Sequence, residues 1–243
     1  MIPKVIHYCW FGRKPLPQSA LKCIDSWKRY LPGYQIIQWD EDNFDVDIVP
    51  YTSEAYSVGK YAFVSDYARF WVLYKYGGLY FDVDVELIAG IDDIIRRGNF
   101  MGYEAGMSVA PGLGLGLEPQ SDIAGRLLDE YLTTHFLVDG KMMISSRTVV
   151  NIATEIMSES GVVNVMPGVD RIKDVFVYYP EYFSPLNHKT GVLTLTRNSR
   201  SIHHYDASWK TSAQKTKDRL VRFLGPELTS VLVKFKKFLR RYV

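Results

Sequence analysis

Two carboxylates two positions apart, Asp82 and Asp84, interrupt an otherwise apolar stretch, Gly77-Gly78-Leu79-Tyr80-Phe81-Asp82-Val83-Asp84-Val85-Glu86-Leu87. If the stretch is extended, alternation sets Tyr80, Asp82, Asp84 and Glu86 on one face and Leu79, Phe81, Val83, Val85 and Leu87 on the other. One face then builds core while the other can hold a metal. Charges beside a buried strand are costly unless paired, and a hard divalent cation is the usual partner of adjacent carboxylates. Spacing alone carries little weight, because 17 aspartates in 243 residues give about one Asp-x-Asp by chance. Two other matches, Asp40-Glu41-Asp42 and Asp45-Val46-Asp47, lie with Asn43 and Pro50 in a stretch that reads as a solvated loop. The match at Asp82 instead follows a helical end, Tyr74-Lys75-Tyr76, and a glycine pair able to turn. That context puts it at the carboxyl end of a strand, where ligands bind in open α/β sheets.

Three further groups could share a site with these carboxylates. Asp66 and Arg69 stand three apart and so share a helix face, either as a surface ion pair or as a clamp at the rim of a sheet. The run Ser201-Ile202-His203-His204-Tyr205-Asp206-Ala207-Ser208-Trp209 offers imidazole nitrogens, a hydroxyl and an indole N–H within a few residues. Adjacent strand residues point oppositely, so His203 and His204 cannot both face one site. Pro111-Gly112-Leu113-Gly114-Leu115-Gly116 contains Gly-x-Gly, but no helix start or lysine of phosphate-loop type follows it. It reads as a flexible loop beside a substrate.

The elements needed to position these groups are legible in outline. A strand is predicted over 2–10, a helix over 18–30 stopped by Pro32-Gly33, a second strand over 34–39, and helical pattern over 53–76. Within the last, Phe63, Tyr67, Phe70 and Tyr74 form the expected core stripe, with Asp66 and Arg69 off it. A helix over 90–97, a strand over 100–103, helices over 122–136 and 146–159 and short strands ending at 193–195 follow. Strand and helix alternate, which predicts an α/β fold with a mostly parallel sheet flanked by helices and joined by right-handed crossovers.

Composition is that of an ordinary globular chain, 47% hydrophobic and 23% charged, with a surplus of aromatics at 14%. Such a surplus suits either an aromatic core or stacking on rings and sugars. Cys9 and Cys23 show no metal or redox spacing, which predicts two free thiols in a reducing compartment. Met1-Ile2-Pro3-Lys4 leads directly into strand-like residues, and no stretch approaches ~20 uninterrupted apolar residues. The expected location is therefore cytoplasmic. The net charge of +2 is uneven, for residues 210–243 carry ten Lys and Arg against Asp218 and Glu227, leaving the rest at −6. Residues 226–243 place Leu228, Val231, Leu232, Phe235, Phe238, Leu239 and Tyr242 at helical spacing opposite a basic flank. The tail reads as a basic amphipathic helix that meets an anionic membrane surface or docks on the protein's own body. Residues 1–210 and 211–243 are thus expected to form one domain and a tail.

Ile2-Pro3-Lys4-Val5-Ile6-His7-Tyr8-Cys9-Trp10-Phe11-Gly12, Ser65-Asp66-Tyr67-Ala68-Arg69 and Gly77-Gly78-Leu79-Tyr80-Phe81-Asp82-Val83-Asp84 occur in this order. In this the chain resembles the family 32 glycosyltransferases, the DXD-containing sugar transferases of capsular and cell-surface polysaccharide synthesis. It is more distantly similar to the catalytic domain of the large glucosylating toxins. The resemblance is close over residues 1 to about 106 and returns at 201–209. It implies a GT-A type, Rossmann-like fold, a nucleotide-sugar donor of the UDP type, and Mn²⁺ or Mg²⁺. It also implies transfer with retention to a glycan or lipid-linked acceptor, with no nucleic-acid partner. Carried over, Trp10 would stack on the base, and Ser65, Asp66 and Arg69 would contact ribose and sugar. Tyr80 and Asp82 would touch the nucleoside and sugar side, with Cys9, Tyr61 and Val83 completing the donor pocket. Asp84 would ligate the metal with Asp82 and His204, while Ser208 and Trp209 would lie near the diphosphate. The glycine-rich loop would face the acceptor.

Two other classes fit parts of the pattern. Tyr80-Phe81-Asp82-Val83-Asp84-Val85 also resembles the nucleophile strand of haloacid dehalogenase-type phosphotransferases, with Asp82 as nucleophile and Asp84 as acid/base. No downstream Gly-Asp-x-x-x-Asp accompanies it. A non-catalytic sugar- or membrane-binding protein is the third reading, which two separated polar clusters disfavour.

Overall fold

Three parallel strands form the edge of the sheet that carries the sequence motifs. In the computed structural model, which describes residues 1–142, 148–188 and 190–206, strand β1 (Val5–Cys9) leads into α1 (Gln18–Tyr30), then β2 (Gln35–Trp39), α2 (Pro50–Ser57), α3 (Tyr61–Tyr76) and β3 (Gly78–Tyr80). β1 pairs in parallel with both β2 and β3. Helix α1 keeps the predicted bounds, burying Ala20, Cys23, Ile24 and Trp27 on one face. The predicted helix over 53–76 is two helices. The Gly59 N–H donates to the Tyr56 carbonyl and the Lys60 N–H to the Ala55 carbonyl, closing α2 before α3 begins.

The remaining described elements are β4 (Val85–Leu87), α4 (Asp92–Ile95), β5 (Phe100–Glu104), β6 (Ser108–Val109), β7 (Leu115–Leu117), α5 (Asp122–Leu132), β8 (Leu137–Val138) and β9 (Lys141–Met142). After them come α6 (Val149–Ser158), β10 (Val163–Met166), β11 (Val169–Ile172), β12 (Val175–Tyr178), α7 (Pro180–Phe183) and β13 (Ser201–His203). Among the described residues the large sheet has nine strands in the order β10-β11-β12-β5-β7-β3-β1-β2, with β6 paired to β5. The ladders give β10, β12, β5, β3, β1 and β2 one direction and β11, β7 and β6 the other. The fold is therefore the expected α/β one with a mostly parallel sheet. Its main antiparallel insertion is β7, between β3 and β5.

That insertion corrects part of the reading of the glycine-rich run as a flexible loop: Leu115 and Gly116 belong to β7, while 111–114 form the turn that precedes it. Leu113, Leu115 and Leu117 are buried, and Gly116 lies where a Cβ would meet the Phe100 ring and Leu79. Leucines alternating with glycines are a strand pattern whose small face accepts large neighbours.

A second correction concerns the acidic stretch, which is not one strand. β3 ends at Tyr80. The Asp82 N–H then donates to the Gly112 carbonyl, and the Val85 N–H donates to the Asp82 carbonyl. This turn carries the chain out of the large sheet into β4, which pairs antiparallel with β13 in a separate two-stranded sheet. Asp82 and Asp84 thus sit in a turn at the carboxyl end of β3, where water and a ligand can reach charges that a continuous strand would bury.

Helix α3 packs on more than the predicted stripe. Tyr74 is 40% exposed and Phe63 half-buried, whereas Val64, Ala68, Phe70, Val72 and Leu73 are fully enclosed. The predicted strand at 193–195 is reduced to a single bridge between Leu186 and Leu193. Ser208, Trp209 and the basic tail lie outside the described residues.

Candidate active site

The carboxyl ends of β1 and β3, the first half of α3 and the end of β13 converge on the Asp82 turn. Asp66 and Arg69 are not a surface pair: they are 9% and 4% exposed. One turn of helix brings the Arg69 guanidinium 2.9 Å from Asp66 Oδ1, and the same nitrogen reaches Asp82 Oδ1 at 3.4 Å. The Arg69 Nε–H donates to the Ser65 carbonyl at 3.1 Å, and its plane lies over the Tyr80 ring, 5.1 Å from the centroid. The Tyr80 hydroxyl donates to Asp82 Oδ1 at 3.0 Å. The guanidinium is therefore held from several directions, a use of its fixed donor fork that lysine cannot copy.

Burial pushes the Asp66 carboxyl up to about 7, with Arg69 pulling it back. Burial works against the charge on Arg69, but Asp82, Tyr80 and Asp66 more than offset it and hold the guanidinium protonated. The Cys9 thiol hydrogen-bonds Tyr80 and Ser65 beneath the site, and burial pushes it up to about 12. It packs under the pocket as a neutral thiol and is no nucleophile.

Asp84 is fixed by β13 rather than by its own strand. Its Oδ1 lies 3.1 Å from His203 Nε2, its Oδ2 accepts the Asp206 N–H at 2.9 Å, and its backbone carbonyl accepts the His204 N–H. Burial disfavours the Asp84 charge, but His203 and the Asp206 N–H outweigh it and hold the carboxyl below its usual range. The converse holds for His203, where Asp84 outweighs burial and raises the imidazole. Asp82, Asp84 and His203 each offer a ligand atom, all within 4.8 Å of one another. Two carboxylate oxygens and an imidazole nitrogen are a fitting donor set for Mn²⁺ or Mg²⁺. His203 Nδ1 is moreover buried with no hydrogen-bond partner among the described residues.

The histidine expected to ligate is displaced by its neighbour. His204 turns away to Glu86, with His204 Nε2 2.8 Å from Glu86 Oε2. Which parity faces the turn depends on the register of β13 against β4, where His203 stands opposite Val85, and no local pattern encodes that.

Trp10 leaves β1 half-buried, its indole N–H donating to the Lys14 carbonyl at 2.6 Å. It lines a cavity of about 420 Å³ with Arg13, Lys14, Pro15, Gln38, Asp40, Glu41 and Asp42. The acidic residues after β2 are thus part of a pocket wall and not only a solvated loop. Their place directly after a strand's carboxyl end was the available signal. Tyr61 packs against the same loop, its ring where a Cβ on Gly12 would stand. Val83 is half-buried at the turn between the two carboxylates. Gly112 is a further site residue: a Cβ there would come within 2.2 Å of Asp82 Oδ2.

Residues 17–101 match the family described as the glycosyltransferase sugar-binding region containing DXD motif. The chain is similar to inositol phosphoceramide mannosyltransferase 1 of Schizosaccharomyces pombe, 28% identical over 111 residues, 41% of this chain and 33% of that protein. It is similar to inositol phosphoceramide mannosyltransferase 3 of the same yeast, 26% identical over 39% of this chain and 28% of that protein. An uncharacterized glycosyltransferase of Acanthamoeba polyphaga mimivirus is 31% identical over 41% of this chain and 42% of its own length. Among solved structures, the PaToxG glycosyltransferase aligns with a TM-score of 0.49 at 17% identity, covering 65% of this chain and 69% of that one. These sequence matches span between 28% and 42% of the curated relatives' length.

Proposed function

We propose that this chain is a metal-dependent glycosyltransferase of the family 32 type. It takes a sugar from a nucleotide donor of the UDP-sugar class and transfers it, with retention, to a glycan or lipid-linked acceptor of the cell surface. The observation that carries the reading is the convergence of Asp82, Asp84 and His203 beside the buried Asp66–Arg69 pair. Asp82, Asp84 and His203 would hold Mn²⁺ or Mg²⁺, which when bound supplies Lewis acidity to the oxygens of the leaving diphosphate. Trp10 would present a rigid face for the base at the wall of the cavity formed by the segments after β1 and β2. Arg69, held by Asp66 and the Ser65 carbonyl and reaching Asp82, would orient the donor's sugar. Positioning of this kind is a large share of catalysis when two substrates must meet with water excluded. Gly112 lies against Asp82, and in this reading the acceptor approaches from that side.

The relatives named as inositol phosphoceramide mannosyltransferases support a mannosyl donor and a phosphoinositol lipid headgroup as members of the panel to be tested. The basic, amphipathic sequence of 226–243 supports attachment to an anionic membrane surface from the cytoplasmic side. Deleting it is expected to abolish sedimentation with anionic vesicles and spare turnover of soluble donor; retained sedimentation contradicts the role. The reaction is tested by screening uridine and guanosine diphosphate sugars for Mn²⁺-dependent release of sugar. Phosphatase activity without turnover of any sugar nucleotide would favour the haloacid dehalogenase-type alternative.

A further inference from the structure

His7 is wholly enclosed, 0% exposed, in the middle of β1. Its ring meets polar partners on both nitrogens: Nδ1 lies 3.0 Å from Trp39 Nε1, and Nε2 lies 2.9 Å from the Gly77 carbonyl. An indole nitrogen only donates, so Nδ1 is the bare nitrogen and Nε2 carries the proton that goes to Gly77. The imidazole is therefore neutral, in one tautomer, with both nitrogens used.

The same residue also holds the far end of β3. The His7 backbone carbonyl accepts the Phe81 N–H at 3.2 Å, one residue beyond the strand. In the β1–β3 ladder His7 stands opposite Tyr80, whose hydroxyl donates to Asp82. Gly77 and Gly78 enter the strand at φ +62° and +109°, and a Cβ on Gly78 would come within 2.7 Å of the Val5 carbonyl and 3.2 Å of His7 Nε2. The glycine pair thus lets the chain start flush against the imidazole.

We propose that His7 is a positioning residue for the carboxylate turn. Its ring fixes where β3 begins, its carbonyl fixes where β3 ends, and the two together set the place of Asp82 and Asp84. An apolar residue of similar size would fill the space yet leave the Gly77 carbonyl and the Trp39 N–H buried and unpaired. Through the site this bears on metal affinity and turnover, and in that part it rests on the glycosyltransferase reading. The placement itself does not.

Two substitutions separate the two ring bonds. His7→Gln can keep an N–H for Gly77, whereas His7→Asn can keep an oxygen for the Trp39 N–H but cannot reach Gly77. The direct readout is amide hydrogen exchange over residues 77–85, referenced to α1, in the full chain without added metal. His7→Asn is expected to speed exchange at 77–85 by about tenfold beyond any change in α1, with His7→Gln within about threefold of wild type. The same order is expected for the affinity of Mn²⁺ alone. Equal effects of the two variants, or faster exchange spread evenly over 77–85 and α1, would overturn the proposal by reducing His7 to a core residue. If neither variant folds, Trp39→Phe removes the donor that locks the tautomer, together with part of the indole's packing against Trp71 and Tyr76. It is then expected to speed exchange at 77–85 about threefold or more over α1, and no such selective change would overturn the proposal. Selective exchange with no metal binding in wild type would count against the reading of the site and leave the placement standing.

Discussion

Asp84 and His203 meet at 3.1 Å although they stand 119 positions apart in the sequence. The contact is made by β13 laying itself antiparallel along β4, so that a distant segment completes a site begun by β3. Each group supports the charge of the other against burial. This pairing is why the two histidines are expected to differ sharply in function.

His203→Ala is expected to lower Mn²⁺ affinity and Mn²⁺-dependent turnover by about a hundredfold, and His204→Ala by less than about threefold. Metal titration of the two variants side by side checks it. Equal losses would contradict the assignment of His203 to the turn.

Arg69→Lys keeps the charge but not the fork that serves Asp66, Asp82 and the Ser65 carbonyl. A loss in kcat of about a hundredfold is expected, with Mn²⁺ affinity nearly unchanged. Steady-state kinetics with saturating metal decide the point.

At Gly112, where a Cβ would stand 2.2 Å from Asp82 Oδ2, alanine must displace the carboxylate or its own loop. Gly112→Ala is expected to cut turnover by about tenfold or more. A thermal midpoint within a few degrees of wild type would show that the loss is local.

His7 supplies a pH dependence of stability. Burial pulls its folded pKa down to about 4, the Gly77 hydrogen bond opposing it, against 6.5 in an unfolded chain. Between these values the unfolded state binds a proton that the folded state does not, so stability is full above pH 6.5 and declines as pH falls toward 4. The contribution is on the order of 3 kcal/mol. Urea unfolding at pH 7 and pH 4.5 should show part of this fall in wild type and less of it in His7→Gln.

Much of this was legible in the chain because it is local. The bounds of α1 follow from the apolar spacing of Ala20, Ile24 and Trp27 and the stop at Pro32-Gly33. The carboxyl-end position of Asp82 and Asp84 follows from Gly77-Gly78. What escaped was non-local. Alternation describes a strand but does not announce that its second half will join another sheet, so the turn at Asp82–Asp84 was hidden. Helix α3 is enclosed on several sides, and a single-stripe reading therefore leaves open whether Asp66 and Arg69 form a surface pair or a clamp at the rim. The choice of His203 over His204 belongs to the β13–β4 register, and the pocket wall at Asp40–Asp42 forms only when the loops after β1 and β2 come together.

The central claim is that the Asp82–Asp84–His203 cluster serves a sugar nucleotide through a divalent cation. Its most direct test is calorimetric titration of a UDP-sugar and GDP-sugar panel into wild type and Asp84→Ala, with Mn²⁺ and with chelator. The account predicts that at least one sugar nucleotide binds wild type in Mn²⁺ about a hundredfold more tightly than in chelator, and that Asp84→Ala erases the difference. Binding that is indifferent to the metal, or undiminished in Asp84→Ala, would contradict it.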